Sequence, residues 1–97
     1  MITTRKTDDV RTSILTAAIG YYGRTSQHFK AIEELSELIR ALVRMNDPDN
    51  IAEEMADVRI MLDQLEIMFG NSAEVREWEL KKLKRLDERV HAADVVG

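Results

Sequence analysis

Two pairs of acidic residues open the chemistry of this chain: Glu34 with Glu37, and Glu54 with Asp57, each pair three residues apart. On a helix that spacing sets both side chains over one turn. Two such turns facing each other would present four oxygen ligands. Carboxylates ~5 Å apart repel by about 3 kcal/mol at an effective dielectric of about 20. Taken out of water, they must be protonated, paired with bases or bound to a cation. An all-oxygen, carboxylate-rich set suits Mg²⁺, with Mn²⁺ the near alternative. A di-iron bundle needs a Glu-x-x-His pair on each of two helices, and the sequence does not supply two, so iron is disfavoured. With 18 acidic residues in 97, chance alone yields roughly three acidic pairs at this spacing. A lone pair is therefore uninformative, but two on consecutive helices carry weight.

Hydrophobic spacing predicts the four helices that would position these groups. The first is expected from Asp8 to Ile19, capped by Thr7, with Val10, Ile14 and Ala18 repeating every fourth residue. Gly20 and Gly23 punctuate the segment Tyr21–Arg24. A second helix is expected from Thr25 or Ser26 to Met45, its apolar stripe formed by Ile32, Leu35, Ile39, Leu42 and Val43. Asn46-Asp47-Pro48-Asp49 reads as a turn. The third helix is expected from Asn50 to Phe69, closed by Gly70. Asn71 with Glu74 resembles a capping box for the fourth, which reaches His91. The expected architecture is all-α, a four-helix bundle in one domain over 1–97, with 1–6 and 92–97 frayed.

The faces of these helices differ. On the second, Glu33, Glu34 and Glu37 fall roughly 100–200° from Ile32, away from the apolar stripe, which by itself describes a solvated acidic face. The third is apolar nearly all round, and Glu54 and Asp57 lie within that girth, interleaved with Met61 and Met68. Such a helix is central to a bundle or sits between subunits, which predicts an oligomer with a core shared between subunits. The fourth carries a basic stripe of Lys81, Lys82, Arg85 and Arg89 with Trp78 among them. Lys82, Arg85 and Arg89 are candidate phosphate contacts. The same stripe can equally pair with Glu74, Glu77, Glu79 and Asp87. Gln27 lies near the Glu34 side and is a candidate reader of a nucleobase edge. His28 is expected to be partly buried, Tyr21 and Tyr22 to pack between the first two helices, Trp78 to pack or form an interface, and Met45, Met55, Met61 and Met68 to fill the core or an interface.

Composition removes other chemistries. The absence of cysteine excludes disulfides, thiolate zinc sites and cysteine nucleophiles. One proline, four glycines and 5% aromatics starve an all-β fold. No apolar run approaches the ~18 residues of a membrane span, and residues 1–10 lack a signal-peptide core. A net charge of −4 argues against nucleic acid as a partner. No phosphate-binding G-x-x-x-x-G-K-[ST] loop is present. The expectation is a cytoplasmic protein that binds neither nucleic acid nor membrane.

The stretches Ala31-Ile32-Glu33-Glu34-Leu35-Ser36-Glu37-Leu38 and Ile51-Ala52-Glu53-Glu54-Met55-Ala56-Asp57-Val58 resemble the MazG-like all-α nucleoside triphosphate pyrophosphohydrolases, whose signature is E-x-x-E, a spacer, then E-x-x-D. Tyr22-Gly23, Gln27 and Lys82-Leu83-x-Arg85-Leu86-x-x-Arg89 are similar to the small bacterial and phage members, and the resemblance spans Tyr21 to Val90. It implies hydrolysis of a (deoxy)nucleoside triphosphate to the monophosphate and pyrophosphate. It further implies Mg²⁺ held by Glu34, Glu37, Glu54 and Asp57, and water attacking the α-phosphorus with Glu33 or Glu53 as supporting base. Dimers or tetramers with sites at subunit interfaces are implied as well. Two alternatives stand beside it: a non-catalytic helical oligomer or adaptor, and a pyrophosphohydrolase acting on another substrate such as phosphoribosyl-ATP.

Overall fold

A computed structural model describes the backbone of residues 2–45 and 47–96, with side chains over 9–45 and 47–92. It contains four helices, α1 (Ile2–Tyr22), α2 (Arg24–Arg44), α3 (Pro48–Phe69) and α4 (Ser72–Val96), and no strand among the described residues. Both outer helices run beyond their expected limits, α1 from Ile2 rather than Asp8 and α4 to Val96 rather than His91. Thr7 therefore lies inside α1 rather than at its start. Asn46 of the expected turn lies outside the described residues, as do Met1 and Gly97.

The breaks are chemically specific. Only Gly23 separates α1 from α2, at φ 94° and ψ 151°, a region closed to side chains with a Cβ. Its N–H closes α1 on the Ile19 carbonyl at 2.8 Å, and its own carbonyl accepts from Gln27 N at 3.0 Å to open α2. Gly20, expected to share the break, stays helical. Asp47 caps α3, its Oδ1 accepting from Asp49 N at 3.0 Å, and Pro48 occupies the first turn, where a missing N–H costs nothing. Gly70 ends α3 in the left-handed region at φ 61°. The capping box at Asn71 does not form: Asn71 Oδ1 is buried without a hydrogen-bond partner.

The break after Met45 folds α3 back along α2 as a hairpin, α1 packs against both, and among the described residues α4 packs on α3 alone. The buried apolar side chains are Leu15, Ala31, Ala41, Val58, Met61 and Met68, joined by Gln27, Glu34 and Gln64. This overturns the expected orientation of α2. Ala31 and Ala41 let α3 approach closely, so the face carrying Gln27 and Glu34 turns inward. Ile32, Leu35, Ile39, Leu42 and Val43 are left exposed. On α1, Leu15 is buried whereas Val10 and Ile14 are exposed.

Nothing covers α4. Trp78, Leu80, Leu83, Leu86 and Val90 all stand more than half exposed. The radius of gyration is 16.9 Å and the extents 54 × 36 × 27 Å, against about 13 Å for a compact chain of this length. A helix of 25 residues spans about 38 Å, and α4 supplies that elongation. No described helix is long and apolar enough to cross a membrane.

Candidate metal centre

The α2–α3 seam brings three of the four motif acids together. Glu34, Glu54 and Asp57 each offer a carboxylate oxygen, and these atoms all lie within 4.8 Å of one another. Glu34 is only 9% exposed because its helical face is the one pressed on α3. Asp57 on α3 faces Glu34 on α2 across the seam. Glu54 Oε2 is buried and accepts no hydrogen bond. A cation would satisfy that orphaned oxygen, and the all-oxygen donor set fits a hard divalent ion.

The electrostatics follow from this crowding. Burial pushes the Glu54 carboxyl above its ordinary range, and the charges of Asp57, Glu34, Glu37 and Glu53 push it further. Asp57 is raised likewise, first by burial, then by the charge of Glu34 and the hydrogen bond with it, then by Glu53, while Lys30 opposes the shift. Lys30 is the cation at the edge of the cluster, its Nζ 3.2 Å from Glu34 Oε1 and 3.8 Å from Glu33 Oε2. Its own pKa is raised, foremost by the bond to Glu34 and then by the charge of Glu33.

The remaining candidates are distributed around this centre. Glu37 falls outside the close group and pairs with Arg40 at 3.6 Å, though its charge still reaches Glu54. Glu33 and Glu53 are exposed beside their motif partners. Gln27 is buried, its Nε2 donating to Gln64 Oε1 at 2.7 Å. Lys82, Arg85 and Arg89 are exposed on α4, which does not touch α2, and form no ion pair among the described residues. Within one chain the cation that registers at Asp57 is Lys30. Of the basic stripe, Lys81 takes the pairing reading, 3.3 Å from Glu77 and 5.1 Å above the Trp78 ring.

Other expectations are corrected. His28 is exposed, edge-on to Phe29 and Phe69, and Tyr21 and Tyr22 are exposed, edge-on to each other at 4.8 Å. The exposure of His28, one turn before Ile32, follows from the outward turn of the apolar face of α2. Two polar residues went unremarked in the sequence. Gln64 stands seven residues after Asp57, as Gln27 stands seven before Glu34, and this matched spacing was the available signal. Lys30 lies one turn before Glu34, the ordinary spacing of a helical ion pair. No protein-family model, curated protein or solved structure matches this chain.

Proposed function

We propose that the chain is a Mg²⁺-dependent hydrolase that converts a (deoxy)nucleoside triphosphate to the monophosphate and pyrophosphate. The observation that carries this reading is the convergence of Glu34, Glu54 and Asp57 with one buried, unpartnered oxygen. A scaffold gains nothing from holding three acids against one another, whereas a divalent ion makes the arrangement favourable. The E-x-x-E and E-x-x-D spacing of the MazG-like enzymes supports the same reading.

In this reading Glu34, Glu54 and Asp57 hold the ion, with Glu37 one turn away on α2. When bound, the ion supplies positive charge toward the phosphates and acidity toward water. Water forms the new bond to the α-phosphorus, the bond from that phosphorus to the bridging oxygen breaks, and pyrophosphate leaves. Glu33 or Glu53, each exposed beside a motif acid, accepts the water's proton. The phosphate-binding arginines come from elsewhere in an oligomer, because α4 of the same chain does not reach α2. A second copy suits the bare apolar stripes of α2 and α4, so the proposed assembly is a homodimer or homotetramer.

The test is pyrophosphate release from a panel of ribo- and deoxynucleoside triphosphates, with and without Mg²⁺. Metal-dependent release from at least one member is the expected result, and none from any would remove the reading. Lys30 favours one alternative, since it already offsets part of the acidic charge and would let the fold persist as a helical oligomer without turnover. That alternative predicts no thermal stabilisation by Mg²⁺ beyond ordinary salt effects.

A further inference from the structure

Along the same seam, two helical turns from the acids, lies a second polar feature. Gln27 is seven residues before Glu34 on α2 and Gln64 seven after Asp57 on α3, so the amide pair sits about 10 Å from the carboxylates on the same face. The two side chains are 6% and 4% exposed and make one hydrogen bond to each other. That bond uses Gln27 Nε2 and Gln64 Oε1. Among the described residues Gln27 Oε1 and Gln64 Nε2 take no other hydrogen bond and are not sealed off, which leaves an acceptor and a donor on the pair. Both glutamines line a groove of about 700 Å³, together with Phe29, Tyr22, Lys30 and Glu33.

We infer that this groove is a nucleobase pocket in which Gln27 and Gln64 act as a paired amide reader. Every nucleobase offers an adjacent donor and acceptor on one edge, the pattern these two amides complement. Phe29 and Tyr22 stand 64% and 60% exposed at the groove, placed for contact with a flat ring. Lys30 lines the groove and bonds Glu34, so one side chain links the groove to the acidic centre. A nucleotide with its phosphates at the carboxylates would lay its base on the amides. The ligand's identity as a nucleotide rests on the function proposed above; the pocket itself rests on the amide pair.

Nuclear magnetic resonance of the ¹⁵N-labelled 97-residue chain tests the pocket without turnover or metal. The side-chain amide signals of Gln27 and Gln64 are followed while each of the common nucleoside 5′-monophosphates is added, with ribose 5-phosphate as the probe lacking a base. The expected result is that both amide signals move with the monophosphates, unequally among bases, and stay still with ribose 5-phosphate. In Gln64→Met, which matches the side chain in length without an amide, the Gln27 signal should no longer respond. Far-UV circular dichroism and backbone amide signals show whether that variant keeps the fold, and Gln27→Met is its counterpart. Stationary glutamine signals up to millimolar nucleotide, or equal movement with ribose 5-phosphate, would overturn the pocket whether or not the chain hydrolyses triphosphates. If it does, Gln64→Met should raise KM about tenfold for the preferred base, the value of one hydrogen bond lost, with kcat little changed. Unchanged KM and unchanged base preference would equally overturn it.

Discussion

Glu54 concentrates the chemistry of this molecule in one side chain. Its buried oxygen has no partner and its carboxyl is raised by burial and by four neighbouring acids. Glu54→Gln removes one of the repelling charges at constant shape. It should therefore raise the melting midpoint of the metal-free protein while abolishing both pyrophosphate release and any midpoint shift caused by Mg²⁺; circular dichroism melts and a pyrophosphate assay read these out. The pH dependence follows from the same residues. A carboxyl whose folded-state pKa is raised favours folding below its ordinary value and loses that contribution as pH climbs through the raised one. Glu54 and Asp57 both belong to this class, so their contribution to metal-free stability should grow as pH falls from neutral toward the ordinary values of 4.5 and 3.8. A bound divalent ion requires ionised ligands and reverses the sign, making stability fall over the same interval. Thermal midpoints across that interval, with and without Mg²⁺, check the crossing. Lys30 behaves oppositely in range: its raised pKa stabilises the fold up to its ordinary value of 10.5 and fails above it.

At the scale of the elements, the hairpin was legible and its inner face was not. The helix count, the turn at Asp47-Pro48 and the stop at Gly70 follow from local chemistry that one residue can dictate. The orientation of α2 does not, because it depends on what α3 offers. Periodicity ranked Ile32, Leu35 and Ile39 as the inward stripe, yet the seam is built on Ala31 and Ala41, whose small size decides how closely two helices approach. The acids were legible by spacing, whereas Lys30 and Gln64 draw their roles from the partner helix. If closeness at Ala31 sets the seam, Ala31→Leu should cost about 1–3 kcal/mol by overpacking, measured by urea denaturation. A leucine at the outward position instead, Ile39→Leu, should cost well under 1 kcal/mol in the isolated chain.

For the molecule as a whole, α4 is the outlier. Its Leu83 and Leu86 are more than half exposed, and fully burying one such side chain stabilises by about 1.5–3 kcal/mol. If a second copy covers them, sedimentation at micromolar concentration should give a species larger than 97 residues, and Leu83→Glu with Leu86→Glu should return it to one chain. A wild-type monomer would count against shared cover. A longer reach follows from the bareness of this helix. Where subunits lend each other their interiors, folding becomes a bimolecular affair, and dilution alone loosens the structure. The melting midpoint should then climb with protein concentration, and Mg²⁺ tightness measured on dilute samples should fall short of that in concentrated ones.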